Sequence, residues 1–283
     1  MLLYPWFQAA KDKFIEHGHR LLGAVVGVIA IGLCIVVWLK DQRRWLGWLS
    51  FATLLLIVGQ GILGGLRVLL VDVQIAKIHG CVAPLLFALI VAITVFTSRW
   101  WSERKVMHCG ASGRLRRLAV LTFFLAYVQL VLGALLRHVS PSAPGSTFRA
   151  AIFFHLILAA VLLIDGIALC WQSQRHFKGV QQLVGPPRVL LLLLVIQLLL
   201  GAGAWVLKYS WPAGLFAETP GFAGWTNTAG GLLQASVVTG HVATGSLILG
   251  ASLWTALRFF RGTTGGPAGV STPVAHYSAM GVL

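Results

Sequence analysis

Four histidines, His19, His79, His155 and His241, each open a long apolar run, and they stand 60, 76 and 86 residues apart. Neutral imidazole is a ligand for zinc, copper and haem iron. Zinc sites usually gather several ligands at short spacing with carboxylate or thiolate partners, which these separations do not provide. The four cysteines, Cys34, Cys81, Cys109 and Cys170, have no CxxC spacing and indicate neither a zinc site nor a disulfide framework. Histidines projecting in pairs from neighbouring helices across a bundle interior could instead ligate two haems, one in each half of the chain. A lone histidine at a helix end is ordinarily an interfacial polar residue in contact with water. Four on alternate helices, at matching depth, form a pattern.

A second pattern faces the first. Gln60-Gly-Ile-Leu-Gly64, Gln129-Leu-Val-Leu-Gly133 and Gln197-Leu-Leu-Leu-Gly201 recur at spacings of 69 and 68 residues, so the chain reads as repeated helix pairs. The small residues Gly64-Gly65, Gly133-Ala134 and Gly201-Ala202-Gly203 let a flat macrocycle or another helix approach the backbone. Arg20, Arg67 and Arg137 lie at the same outer ends, where guanidinium groups could meet haem propionates or simply snorkel to headgroups. Glu16 precedes His19 by three residues, on the same helix face, so its carboxylate could stand beside a metal bound there and move protons. Asp165 lies ten residues beyond His155, roughly 15 Å deeper, where pairing with an arginine is expected.

These residues need helices to hold them. Of the 283 residues, 58% are hydrophobic and only 10% charged, with a mean hydropathy of +0.85. That excludes a water-solvated globule, a disordered chain and a coiled coil, and defines an integral membrane protein. A crossing needs about 20 apolar residues, and seven stretches meet that test: 20–39, 45–66, 78–98, 118–137, 151–172, 189–208 and 236–257. The fold class is therefore all-α, a polytopic bundle of seven transmembrane helices in two pseudo-repeated halves. The first run is too long for a signal peptide and lacks a cleavage site. The net charge of +15 reflects topology rather than nucleic-acid binding, because 14 of the 22 basic residues fall in the loops after the odd-numbered segments. The positive-inside rule puts the N-terminus outside and the C-terminus in the cytoplasm. The external loop from Tyr209 to Gln234 carries Trp211, Phe216, Phe222 and Trp225, suited to the interface.

In this order the motifs become specific. Glu16-His-Gly-His19-Arg20-Leu-Leu-Gly23 resembles the ExxHRxxG signature of haem A synthases, membrane assembly factors for cytochrome oxidase. Gln60 to Gly65 with Ile78-His79-Gly80, Gln129 to Gly133 with Phe154-His155, and Gln197 to Gly201 with Gly240-His241 follow the family's later motifs in order. The resemblance implies oxidation of the C8 methyl of haem O to a formyl group, giving haem A. It implies that His19 and His79 hold the substrate haem O with Glu16 beside it, and that His155 and His241 ligate haem b. Arg20, Arg67 and Arg137 complete the expected haem contacts. It divides the chain into an N-terminal half-bundle over 1–138, a C-terminal half-bundle over 139–265 and a cytoplasmic tail over 266–283. The family fold has eight helices in two four-helix halves, and these segments align with it from the second helix onward, so the expectation is that fold without its first helix. Expected partners are haem O, the lipid bilayer, a haem O synthase or oxidase assembly factors, and a second copy of the chain, with no nucleic acid. The expected site is a bacterial-type plasma membrane. The alternative is a non-catalytic membrane haem b protein in electron transfer or oxidase assembly; a repeat-built transporter ranks last, since Asp165 is the one charge deep in a span.

Overall fold

The computed structural model describes residues 11–103, 106–138, 144–209 and 231–264. The aromatic residues Trp211, Phe216, Phe222 and Trp225 and the tail over 266–283 lie outside them. The chain forms α1 (Lys11–Lys40), α2 (Arg44–Leu70), α3 (Val73–Thr97), a short α4 (Arg99–Glu103), β1 (Met107–His108), α5 (Ser112–Arg137), α6 (Gly145–His176), α7 (Gln181–Tyr209), α8 (Leu232–Gly262) and β2 (Thr263–Thr264). Seven of the described helices are long and apolar enough to span a membrane, as expected. Backbone groups in hydrocarbon must be satisfied within the segment, so runs of this composition have no alternative to helix.

The helices overrun the apolar stretches: α6 covers 32 residues where the apolar run is 22, and α8 covers 31. Apolar runs report the hydrocarbon crossing, whereas the helix continues into the headgroup layer, where arginines are at no disadvantage. Polar residues then set the turns. Asp72 caps α3, its Oδ1 accepting from the backbone N–H groups of Gln74 at 2.6 Å and Ile75 at 3.0 Å. Between α1 and α2, Asp41 accepts from the Arg43 backbone at 3.0 Å and from its guanidinium at 2.8 and 2.5 Å. The guanidinium holds the Asp41 carboxyl below the ordinary carboxylate range, against a smaller opposing effect of burial. A depressed folded pKa contributes stability above the unfolded value, lost as pH falls through the folded one. Asp41→Asn is therefore expected to unfold at a lower temperature than the parent chain at about pH 7, the difference shrinking as pH falls below the ordinary carboxylate range.

The chain clusters into two compact units, Met1–Leu86 and Phe87–Leu283, with the boundary inside α3. In the first, α1 packs on α2 through Ala30, Cys34 and Val37 against Leu46, Gly47, Ser50 and Thr53. A β-carbon at Gly47 would meet the Trp38 ring at 3.1 Å, so glycine allows that contact. In the second, α5, α6, α7 and α8 close a ring in which each packs on the next and α8 returns to α5. Its buried positions include Leu115, Ala119 and Thr122 of α5, Leu162 and Leu169 of α6, Leu183 and Leu190 of α7, and Leu249, Thr255 and Phe259 of α8. These fall mostly in the first halves of α5 and α7 and the second halves of α6 and α8, which in an up-and-down ring is one end.

That end is tied further. β1 pairs in parallel with β2, Met107 opposite Thr263 and His108 opposite Thr264. Arg261 donates to the Trp101 carbonyl at 2.9 and 2.7 Å, and Arg258 lies 4.0 Å from the centre of the Trp100 ring. The expectation for Asp165 is corrected. No arginine pairs with it among the described residues; Thr122 of α5 faces it, Oγ1 to Oδ2 at 3.5 Å. Sequence depth did not reveal that the first half of α5, with its buried threonine, lies opposite this stretch of α6.

Candidate functional site

In each unit the histidines sit away from the densely packed end. His79 lies near the start of α3, His155 near the start of α6, and His241 near the start of α8, all half-buried, while His19 on α1 is exposed. The His19 and His79 rings stand with centres 6.4 Å apart and planes at 83°; the His155 and His241 rings are also 6.4 Å apart, at 62°. Sequence reasoning paired these residues, and the fold brings each pair together.

Every QxxLG segment lies against a histidine. Gln60 Nε2 donates to the His79 backbone carbonyl at 2.7 Å, and Gln129 Nε2 to that of His155 at 2.9 Å. Gln197 Nε2 lies 3.5 Å from His241 Nε2. One turn on, the glycine of the motif makes room for the imidazole: a β-carbon would stand 3.0 Å from His79 Cε1 at Gly64, 3.3 Å from His155 Cε1 at Gly133 and 3.0 Å from His241 Cε1 at Gly201. Sequence inspection placed these glycines in the site but assigned the glutamines no partner. The i, i+4 spacing of Gln and Gly on one helix face was the available signal.

The three packed histidines share one further property. Nδ1 of His79, His155 and His241 and Oε1 of Gln60, Gln129 and Gln197 are buried without a hydrogen-bond partner. Buried polar groups left unsatisfied ask for a ligand or water. No group of three or more His, Cys, Asp or Glu suited to a metal ion occurs among the described residues, so the donor sets are pairs. With a metal–nitrogen bond of about 2 Å on each side, two imidazoles facing across one ion have ring centres roughly 6 Å apart, close to both observed separations. Paired imidazoles, glycine cradles and loosely packed helix ends fit a flat macrocycle with an iron that takes two axial ligands.

The expected polar neighbours are placed as follows. Glu16 accepts from Arg20 Nη2 at 2.5 Å, both side chains about half exposed (46% and 45%), and no hydrogen bond joins Glu16 to His19. Arg67 and Arg137 lie exposed in the last turns of α2 and α5.

These features define a polytopic helical membrane protein with two histidine pairs, three of whose members are seated against Gln–Gly segments. The chain belongs to the COX15-CtaA family, described as cytochrome oxidase assembly protein, whose family model matches residues 7–148. That span takes in Glu16, His19, His79 and two of the Gln–Gly segments; His155 and His241 lie beyond it. The chain is 28% identical over 188 residues to a heme A synthase of Alkalihalophilus pseudofirmus, covering 59% of this chain and 62% of the relative. It is 33% identical over 143 residues to one of Methylobacterium radiotolerans, covering 47% and 35%, and 22% identical over 205 residues to one of Bacillus licheniformis, covering 66% and 67%. The chain thus spans less than two thirds of the first two relatives. No solved structure matches it.

Proposed function

We propose that the chain is a haem A synthase, an oxidoreductase that converts the C8 methyl of haem O to a formyl group. The observation that carries this reading is the pair of ring separations, 6.4 Å at each site, in a chain whose family and named relatives concern cytochrome oxidase assembly and heme A synthesis. In this reading His19 and His79 hold haem O, and His155 and His241 hold haem b. Bound haem supplies iron redox chemistry that amino-acid side chains lack. The protein orients it: Gly64, Gly133 and Gly201 admit the rings, and Gln60 and Gln129 hold the backbone of His79 and His155. Arg20, Arg67 and Arg137 face propionates at the outer ends. Glu16, one turn from His19, is the general acid–base group of that site, free to accept a proton there once its contact with Arg20 is released. Lipid surrounds the helices of a bacterial-type plasma membrane, with the N-terminus outside and the C-terminus in the cytoplasm. The halves over 1–138 and 139–265 supply one histidine pair each, Gln129 and Gly133 of the first also bordering His155 of the second; a haem O synthase delivers the substrate haem and oxidase assembly factors receive the product.

Expressing the chain with a haem O synthase and chromatographing the extracted haems tests this. Haem A or its hydroxylated precursor is the expected product. Haem-loaded protein that yields neither overturns the reading. A second reading, a non-catalytic haem b protein, draws on the ion pair that occupies Glu16. Product itself separates the two, since the second reading forms none; in a chain that forms it, Glu16→Gln is expected to lower product formation about 100-fold or more for lost acid–base catalysis, while haem binding persists. If product formation is unchanged, Glu16 has no catalytic part.

A further inference from the structure

Gln129 and Gln197 bring polar side chains into contact with the half-buried His155 and His241 between apolar helices. The contact is unfavourable by itself, because each leaves its Oε1 buried and unpartnered. A buried acceptor without a donor is destabilising, so packing alone would favour methionine or leucine. Yet the arrangement occurs three times, at Gln60, Gln129 and Gln197, each with a glycine four residues on against the same imidazole.

From this threefold recurrence we infer that Gln129 and Gln197 are positioning residues, which orient the axial histidines of the second unit and thereby set the electronic character of the haem they hold. The inference rests on the haem reading above. The glutamine on α5 grips the α6 backbone at His155 and fixes how far that residue stands from α5, while Gly133 confines the ring edge. The glutamine on α7 reaches the ring of His241, and Gly201 confines its Cε1 edge. Ligand orientation is ordinarily set by such neighbouring groups, and losing one commonly lowers metal affinity 10- to 100-fold.

Methionine discriminates orientation from packing, since it keeps the length and volume of glutamine without the amide. Full-length Gln129→Met and Gln197→Met chains, purified with their haem, are compared with the parent chain by thermal unfolding, haem retention against an apo-globin acceptor, and the ferric low-spin electron paramagnetic resonance signal. The expected result is unfolding no earlier than in the parent, haem retention weakened about tenfold or more, and displaced g values. Gln182→Met, at the exposed start of α7, is expected to match the parent in all three. If a methionine chain does not fold, Gln129→Asn, which keeps the amide one methylene short of its partner, is expected to give the same displaced signal. Unchanged g values and retention in loaded variants overturn the positioning role and leave the haem reading standing. A parent chain that takes up no haem overturns both.

Discussion

If His155 and His241 hold a haem as proposed, alanine at His241 is expected to weaken its binding by well over about 100-fold, because even the loss of a group that merely orients a ligand costs 10- to 100-fold. His241 and His155 form a set of two, so a haem that the pair would hold keeps only His155 once His241 is gone. The low-spin signal of this site should vanish and the haem content of purified protein should drop by one equivalent, measured by the pyridine haemochrome method. His155→Ala should do the same, while the His19–His79 site keeps its own signal. His176→Ala is the control, since that residue lies exposed in the last turn of α6. Haem content unchanged after removing both His155 and His241 would refute the ligand assignment. The freed space also invites rescue: imidazole added to the His241→Ala chain should partly restore the low-spin spectrum.

The second large effect separates the two ends of the α5–α8 ring by glycine substitutions. At Gly262 a β-carbon would stand 2.8 Å from Leu183 Cδ2 and 2.9 Å from the Trp100 ring. Phe259, one turn before, is fully buried, and Arg261 beside it is tied to Trp101. Little can yield there, and overpacking a dense core costs typically 1–3 kcal/mol. Gly262→Ala is thus expected to lower the unfolding temperature in detergent with or without haem. Gly201→Ala meets only the His241 ring at 3.0 Å and the looser helix ends around it. It should leave the haem-free chain close to the parent in stability and weaken haem binding. Two glycines of one helical ring then differ in kind, one needed for packing and the other for a ligand. A Gly262→Ala chain as stable as the parent would show that Leu183 and Trp100 can move aside.

The positions that took part in these contacts were unevenly legible. The spans were plain because a hydrocarbon core about 30 Å thick demands some 20 apolar residues, and nothing else in the sequence imitates that. Their ends were not, since helix and apolar run stop for different reasons. The β1–β2 pair was invisible: two residues at Met107 and two at Thr263 carry no period, and their pairing depends on where α8 ends. Glu16 shows how close alternatives are on one helix. It is three residues from His19 and four from Arg20, both on its face, and the opposite charge of Arg20 takes the carboxylate.

Sequence by itself determined that the protein is a membrane bundle, where its chemistry-bearing histidines lie, and which family signature they follow, because these depend on composition, length and order along the chain. Only the tertiary structure decided which face meets which: that Gln60 and Gln129 hold histidine backbones, that Gly201 borders a ring while Gly262 borders a core, and that Asp165 faces Thr122 rather than an arginine. The physical reason is rotational. An almost uniformly apolar helix carries little amphipathic signal to say which side turns inward, so its orientation is settled by the close packing of its small residues against its neighbours.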